Sequence, residues 1–130
     1  MEKKINGFIY WTPRILSIMF LGFLALFSLD VIAPGLSFWE IVGGLFMHNI
    51  PVFILLIILL ISWKREIVGG IIFLMVGVFF TVRMLTTIMN QFELSGLSQF
   101  IIAGPAFLIG ILFIINWFKK RRSLSAASAK

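Results

Sequence analysis

The chain has 130 residues, of which 61% are hydrophobic, and a mean hydropathy of +1.12, far more apolar surface than a soluble domain of this size can hide. Eleven Lys and Arg against five Asp and Glu give a net charge of +6, but the placement of the basic residues accounts for that charge, so nucleic acid is not needed as a partner. No cysteine is present, which excludes thiolate catalysis, iron–sulfur clusters and Cys zinc sites.

Four apolar stretches, over residues 15–33, 41–63, 67–89 and 97–118, fill most of the chain. Each is near the ~20 residues that a helix needs to cross a hydrocarbon core of ~30 Å. The expected fold is all-α, a single domain over residues 1–118 with four transmembrane helices in two antiparallel hairpins.

Ahead of the first stretch, Thr12 and Pro13 suit an N-cap and a first helical position. A basic start and a hydrophobic run ending at Ala33 also describe a signal peptide. The run is long, however, Arg14 interrupts its approach, and Pro34 follows the only small-residue cleavage point, so the stretch is expected to remain as span one. Lys3, Lys4 and Arg14 precede or open that span, Lys64 and Arg65 join spans two and three, and Lys119, Lys120, Arg121, Arg122 and Lys130 follow span four. The positive-inside rule then places both termini and the middle turn in the cytoplasm, where the cations can also meet anionic headgroups. Trp11, Trp63 and Trp117 fall at the same ends and read as interface anchors, with Trp39 marking the other side. Residues 119–130 form a basic and then Ser/Ala-rich cytoplasmic tail, which is expected to be disordered from Ser123 to Lys130.

Spans two and four share a spacing, with Pro51 twelve residues before Trp63 and Pro105 twelve before Trp117. The shift that carries Pro51 onto Pro105 and Trp63 onto Trp117 superposes hairpin one on hairpin two as a parallel repeat. Coincidence is the simpler reading, because Trp and Lys gather at helix ends and Pro is common in membrane helices. A second echo, Glu40–Gly44 against Glu66–Gly70, begins helices of opposite direction and is read as chance.

Ionisable residues inside a span are expensive and default to a functional hypothesis with a named partner. Counted up from the tryptophan plane, His48 lies at ~22 Å, Arg83 at ~26 Å and Asp30 at ~28 Å. Asp30, His48 and Arg83 therefore form a candidate polar cluster in the outer leaflet, with Asp30 and Arg83 the natural ion pair. Arg83 continues into Thr86, Thr87 and Asn90 as a polar stripe. Against this stand simpler roles: Arg83 snorkelling to the headgroups, Asp30 as an interfacial helix end, and His48 as a helix-packing hydrogen bonder. His48 has no second His or Cys partner for a metal. No catalytic triad spacing, phosphate-binding Gly loop or zinc-protease pattern occurs, so no enzyme, catalytic residue or cofactor is expected. Gly70 and Gly77 on span three, and Ala103, Ala106 and Gly110 on span four, are candidate helix-packing positions.

The segments Trp11-Thr12-Pro13-Arg14-Ile15, Leu26-Phe27-Ser28-Leu29-Asp30, His48-Asn49-Ile50-Pro51 and Trp63-Lys64-Arg65-Glu66 resemble a family of small bacterial four-helix integral membrane proteins of unknown function. The resemblance covers the first three spans best. It implies a fold and a bacterial cytoplasmic membrane, and no activity, substrate or cofactor.

Three function classes remain. An accessory or regulatory subunit packed against a larger membrane protein fits short loops, small-residue faces and the missing catalytic constellation. A homo-oligomeric transporter or channel would use Asp30, His48 and Arg83 in an outward-facing cavity; the four-helix drug exporters that insert in both orientations have little charge bias and carry an acid in the first span, whereas here the bias is strong and that span has no acid until Asp30 near its end. An intramembrane enzyme or haem protein rests on His48 alone.

Overall fold

The computed structural model describes residues 7–91 and 99–129. Lys3, Lys4, Lys130 and the expected start of span four at Leu97 lie outside the described residues.

Four helices are long and apolar enough to cross a membrane, and among the described residues there is no strand. The protein is therefore a multi-pass membrane protein of all-α class. Helix α1 spans Gly7–Phe27 and runs into a short 3-10 turn, Ser28–Val31. Helix α2 spans Phe38–Lys64, α3 Glu66–Gln91 and α4 Phe100–Ser128. Each helix packs on the next, and α4 closes on α1. The diagonal pairs α1–α3 and α2–α4 have no backbone approach.

Local chemistry sets the joints. Ala33 to Leu36 make a type II turn, with Pro34 at its second position, Gly35 at φ +95° in its third, and the Leu36 N–H donating to the Ala33 carbonyl at 3.5 Å. Ser37 then caps α2: its hydroxyl accepts from the Glu40 N–H at 3.4 Å while the Glu40 carboxylate accepts from the Ser37 N–H at 2.8 Å, a capping box. A single residue, Arg65, separates α2 from α3. Gly69 makes that sharp reversal possible, because a Cβ there would collide with the Ser62 hydroxyl.

Two expected boundaries are corrected. Thr12 and Pro13 do not start α1: Thr12 donates to the Phe8 carbonyl at 2.5 Å from within the helix, and Pro13 is an interior residue. The tail is not disordered up to Ser128, because α4 continues through it. No Gly or Pro follows Gly110 before residue 128, and Lys, Arg, Leu and Ala are strong helix formers.

The most intimate pair is α3 with α4. A Cβ on Gly70 would lie 2.5 Å from Ile114 Cγ1, one on Gly110 would lie 2.9 Å from Leu74, and one on Gly77 would lie 2.9 Å from Phe107. Partners falling in α4 as they rise in α3 make the pair antiparallel. Ala103, Ala106, Ile109 and Phe113 are buried on α4, and Phe73 stacks on Phe113 at 6.1 Å between centroids while meeting Phe20 of α1 at 6.4 Å. Leu55 and Leu59 supply α2's share of this core. The pairing of α1 with α2 is looser than that of α3 with α4, so the two halves of the proposed repeat are not packed alike.

Replacing Gly70 or Gly110 by Leu should destabilise the bundle by about 1–3 kcal/mol through overpacking, read as a lower midpoint in denaturant titration of the purified protein. Gly43→Ala, where a Cβ meets nothing within 4 Å, should instead raise the midpoint, by up to ~1 kcal/mol of helix propensity.

Candidate functional site

Polar side chains are buried chiefly at the basic end of the bundle. Arg14, Ser17, Ser62, Glu66 and Asn116 are all buried there, on four different helices. Arg14 is 1% exposed, and its Nη2 donates to Glu66 Oε1 at 3.0 Å and to the Trp63 carbonyl at 3.5 Å. Its Nη1 donates to the Tyr10 carbonyl, and the guanidinium lies over the Tyr10 ring at 3.6 Å from the centroid. This is the sole ion pair among the described residues, and both side chains are almost fully buried. The short turn after Lys64 places Glu66 at the first position of α3, where the helix dipole favours a carboxylate.

Pro13 explains a second contact. Lacking an N–H, it leaves the carbonyl of Ile9, four residues earlier, without its helical donor. Asn116 of α4 supplies the missing hydrogen bond at 2.7 Å, joining the first and last helices. Ser17 and Ser62 return their hydroxyls to their own helices, each at 2.6 Å, on the carbonyls of Pro13 and Ile58. Satisfied in this way they can be buried among apolar neighbours.

Trp11 and Trp63 meet at this layer as walls of one cavity, together with Tyr10 and Arg14. Trp117 adjoins Asn116 and stands under the Arg121 guanidinium at 4.8 Å. The three tryptophans thus share one end of the bundle.

The outer cluster is corrected. Asp30, His48 and Arg83 are each exposed, and no ion pair joins them. Asp30 sits on the 3-10 turn that packs against α2, whereas Arg83 is on α3, the helix diagonal to α1. The polar stripe beyond Arg83 is partly internal to its helix, since Thr86 and Thr87 both donate to the Arg83 carbonyl at 2.9 Å. Gly44, on the face that carries His48, serves the approach of Val31. Among the described residues no three His, Cys, Asp or Glu side chains converge as a metal ligand set.

Sequence reasoning missed the Arg14–Glu66 pair because both residues stand beside Lys and Trp at span ends, where a topological role suffices to explain them. The signal for Asn116 was present but indirect: a proline inside a helix implies a free carbonyl, and an amide in an apolar span implies a partner.

A family model described as a domain of unknown function (DUF7670) matches residues 1–125. Neither a curated protein nor a solved structure matches the chain.

Removing one member of a buried pair leaves the other charge uncompensated, so Arg14→Gln or Glu66→Gln alone should destabilise the bundle by about 3–5 kcal/mol. The double variant should be clearly more stable than the sum of the two predicts, and a thermodynamic cycle on unfolding midpoints in mixed micelles measures the difference.

Proposed function

We propose, for a chain that belongs to the DUF7670 family, that it is an accessory or regulatory subunit of a larger membrane protein, and not an enzyme. The observation that carries this reading is the outer half of α2. From Phe38 to Ile54 that helix buries no residue, while Leu55, Leu59 and Ser62 are buried further on. The exposed stretch includes His48, and α3 exposes Arg83. Lipid tails can cover Phe46, Met47 and Phe53, but they offer no hydrogen-bond partner to an imidazole or a guanidinium. A neighbouring membrane helix can offer both. The small-residue faces of α3 and α4 are used within the chain, so the docking surface is the outer part of α2 with the adjoining end of α3.

Under this reading the basic end faces the cytoplasm of a bacterial cell and the turn around Gly35 faces outward. Because the chain has no cysteine, single-cysteine labelling is direct. Leu36→Cys should react with a membrane-impermeant maleimide in intact spheroplasts, and Ser125→Cys should react only after permeabilisation. The reverse pattern would invert the topology.

The functional test is native mass spectrometry of the protein extracted gently from its own membrane. The expected species is a defined complex with a larger membrane protein. His48→Leu with Arg83→Leu should dissolve that complex while shifting the stability of the isolated bundle by no more than about 0.5 kcal/mol, as exposed positions do. A homo-oligomer instead, with solute flux in proteoliposomes that depends on Asp30 and Arg83, would replace this reading with the transporter.

A further inference from the structure

The basic end holds an open cavity of about 270 Å³ lined by Tyr10, Trp11, Arg14 and Trp63. We propose that it binds the phosphodiester headgroup of an anionic glycerophospholipid, with an acyl chain lying along α1.

Hydrogen-bonding capacity is the first support. A guanidinium carries five N–H donors, and the contacts of Arg14 with Tyr10, Trp63 and Glu66 engage three of them. Its Nε is buried and has no partner, although Arg14 is only 1% exposed. Such an orphan donor costs about 1–3 kcal/mol unless an acceptor arrives. Phosphate oxygens are strong acceptors with the planar match that arginine favours.

The walls point to a lipid. Trp11 is 52% exposed and Trp63 44%, so the chain leaves both indoles open beside the charge. Ring systems of this kind sit at headgroup level with their apolar bodies toward the tails. From Trp11 an exposed stripe continues through Ile15 and Ile18, four and then three residues on, one face of α1 leading away from the cavity toward the bilayer interior. A headgroup at Arg14 would put its tail on that stripe.

Charge is the third support. Glu66 neutralises Arg14, but Lys64 and Arg65 follow Trp63 directly and are exposed. The mouth is therefore cationic and selects an anionic headgroup over a zwitterionic one.

The test uses a reporter chain with Trp39→Phe and Trp117→Phe, so that only Trp11 and Trp63 fluoresce, reconstituted in phosphatidylcholine vesicles. Brominated phosphatidylglycerol should quench at about a fivefold lower mole fraction than brominated phosphatidylcholine. In the paired variant Arg14→Gln with Glu66→Gln the preference should shrink to what surface attraction by Lys64 and Arg65 alone supplies. Equal quenching by the two lipids in the reporter chain would overturn the proposal. So would a preference that is undiminished in the paired variant, since surface attraction by Lys64 and Arg65 would then explain all of it. Inorganic phosphate alone, added to the vesicles, should leave the quenching unchanged; reversal by phosphate would give the cavity to a free anion and overturn the lipid assignment. Trp11→Ala, at an exposed wall position, keeps the ion pair and decides the matter if the paired variant does not fold. By native mass spectrometry it should lose the phosphatidylglycerol that the wild-type chain retains, and equal retention would sink the site.

Discussion

The buried ion pair between Arg14 and Glu66 ties α1 to the junction of α2 and α3, because a guanidinium taken out of water must find a counter-charge and acceptors within the protein. Glu66 supplies the charge at 3.0 Å, and the carbonyls of Tyr10 and Trp63 supply acceptors from two helices. Three helices are thereby held in register at one end. The pair also accounts for the sharp joint at Arg65, since a longer connection would leave the position of Glu66 relative to Trp63 undetermined.

The fourth helix is brought in by a backbone defect. Pro13 deprives the Ile9 carbonyl of its donor, and Asn116 makes good the loss. Above this layer Phe20, Phe73 and Phe113 fill the centre, with Leu59 and Ile109 beside them. Gly70 and Gly110 let the α3 and α4 backbones approach, which converts packing contacts into association where the hydrophobic effect contributes little.

The result is a bundle that is tight at its basic end and loose at the other. At the tight end Arg14, Glu66 and Asn116 make hydrogen bonds to other helices, whereas Asp30, His48 and Arg83 lie on outer surfaces. That asymmetry divides the two proposals made for the molecule. A membrane partner belongs to the open end, where side chains lack company, and a lipid headgroup belongs to the closed end, where an aromatic cavity borders a guanidinium with an unused donor.

Hydropathy and length by themselves determined four helices and their approximate spans, because a run of ~20 apolar residues has few other stable states. They also determined the basic end as a shared face of Lys, Arg and Trp. What they left open was which polar residues meet. Asp30 and Arg83 matched in height, but height along the membrane normal carries no information about which way a side chain faces, and the tertiary structure leaves both exposed while it turns Arg14 and Glu66 inward. Arg14 and Glu66 stand 52 residues apart and Asn116 stands 107 from Ile9. Only the ring order of the helices, decided by glycine contacts between α3 and α4 and by the one-residue joint between α2 and α3, brings those groups together.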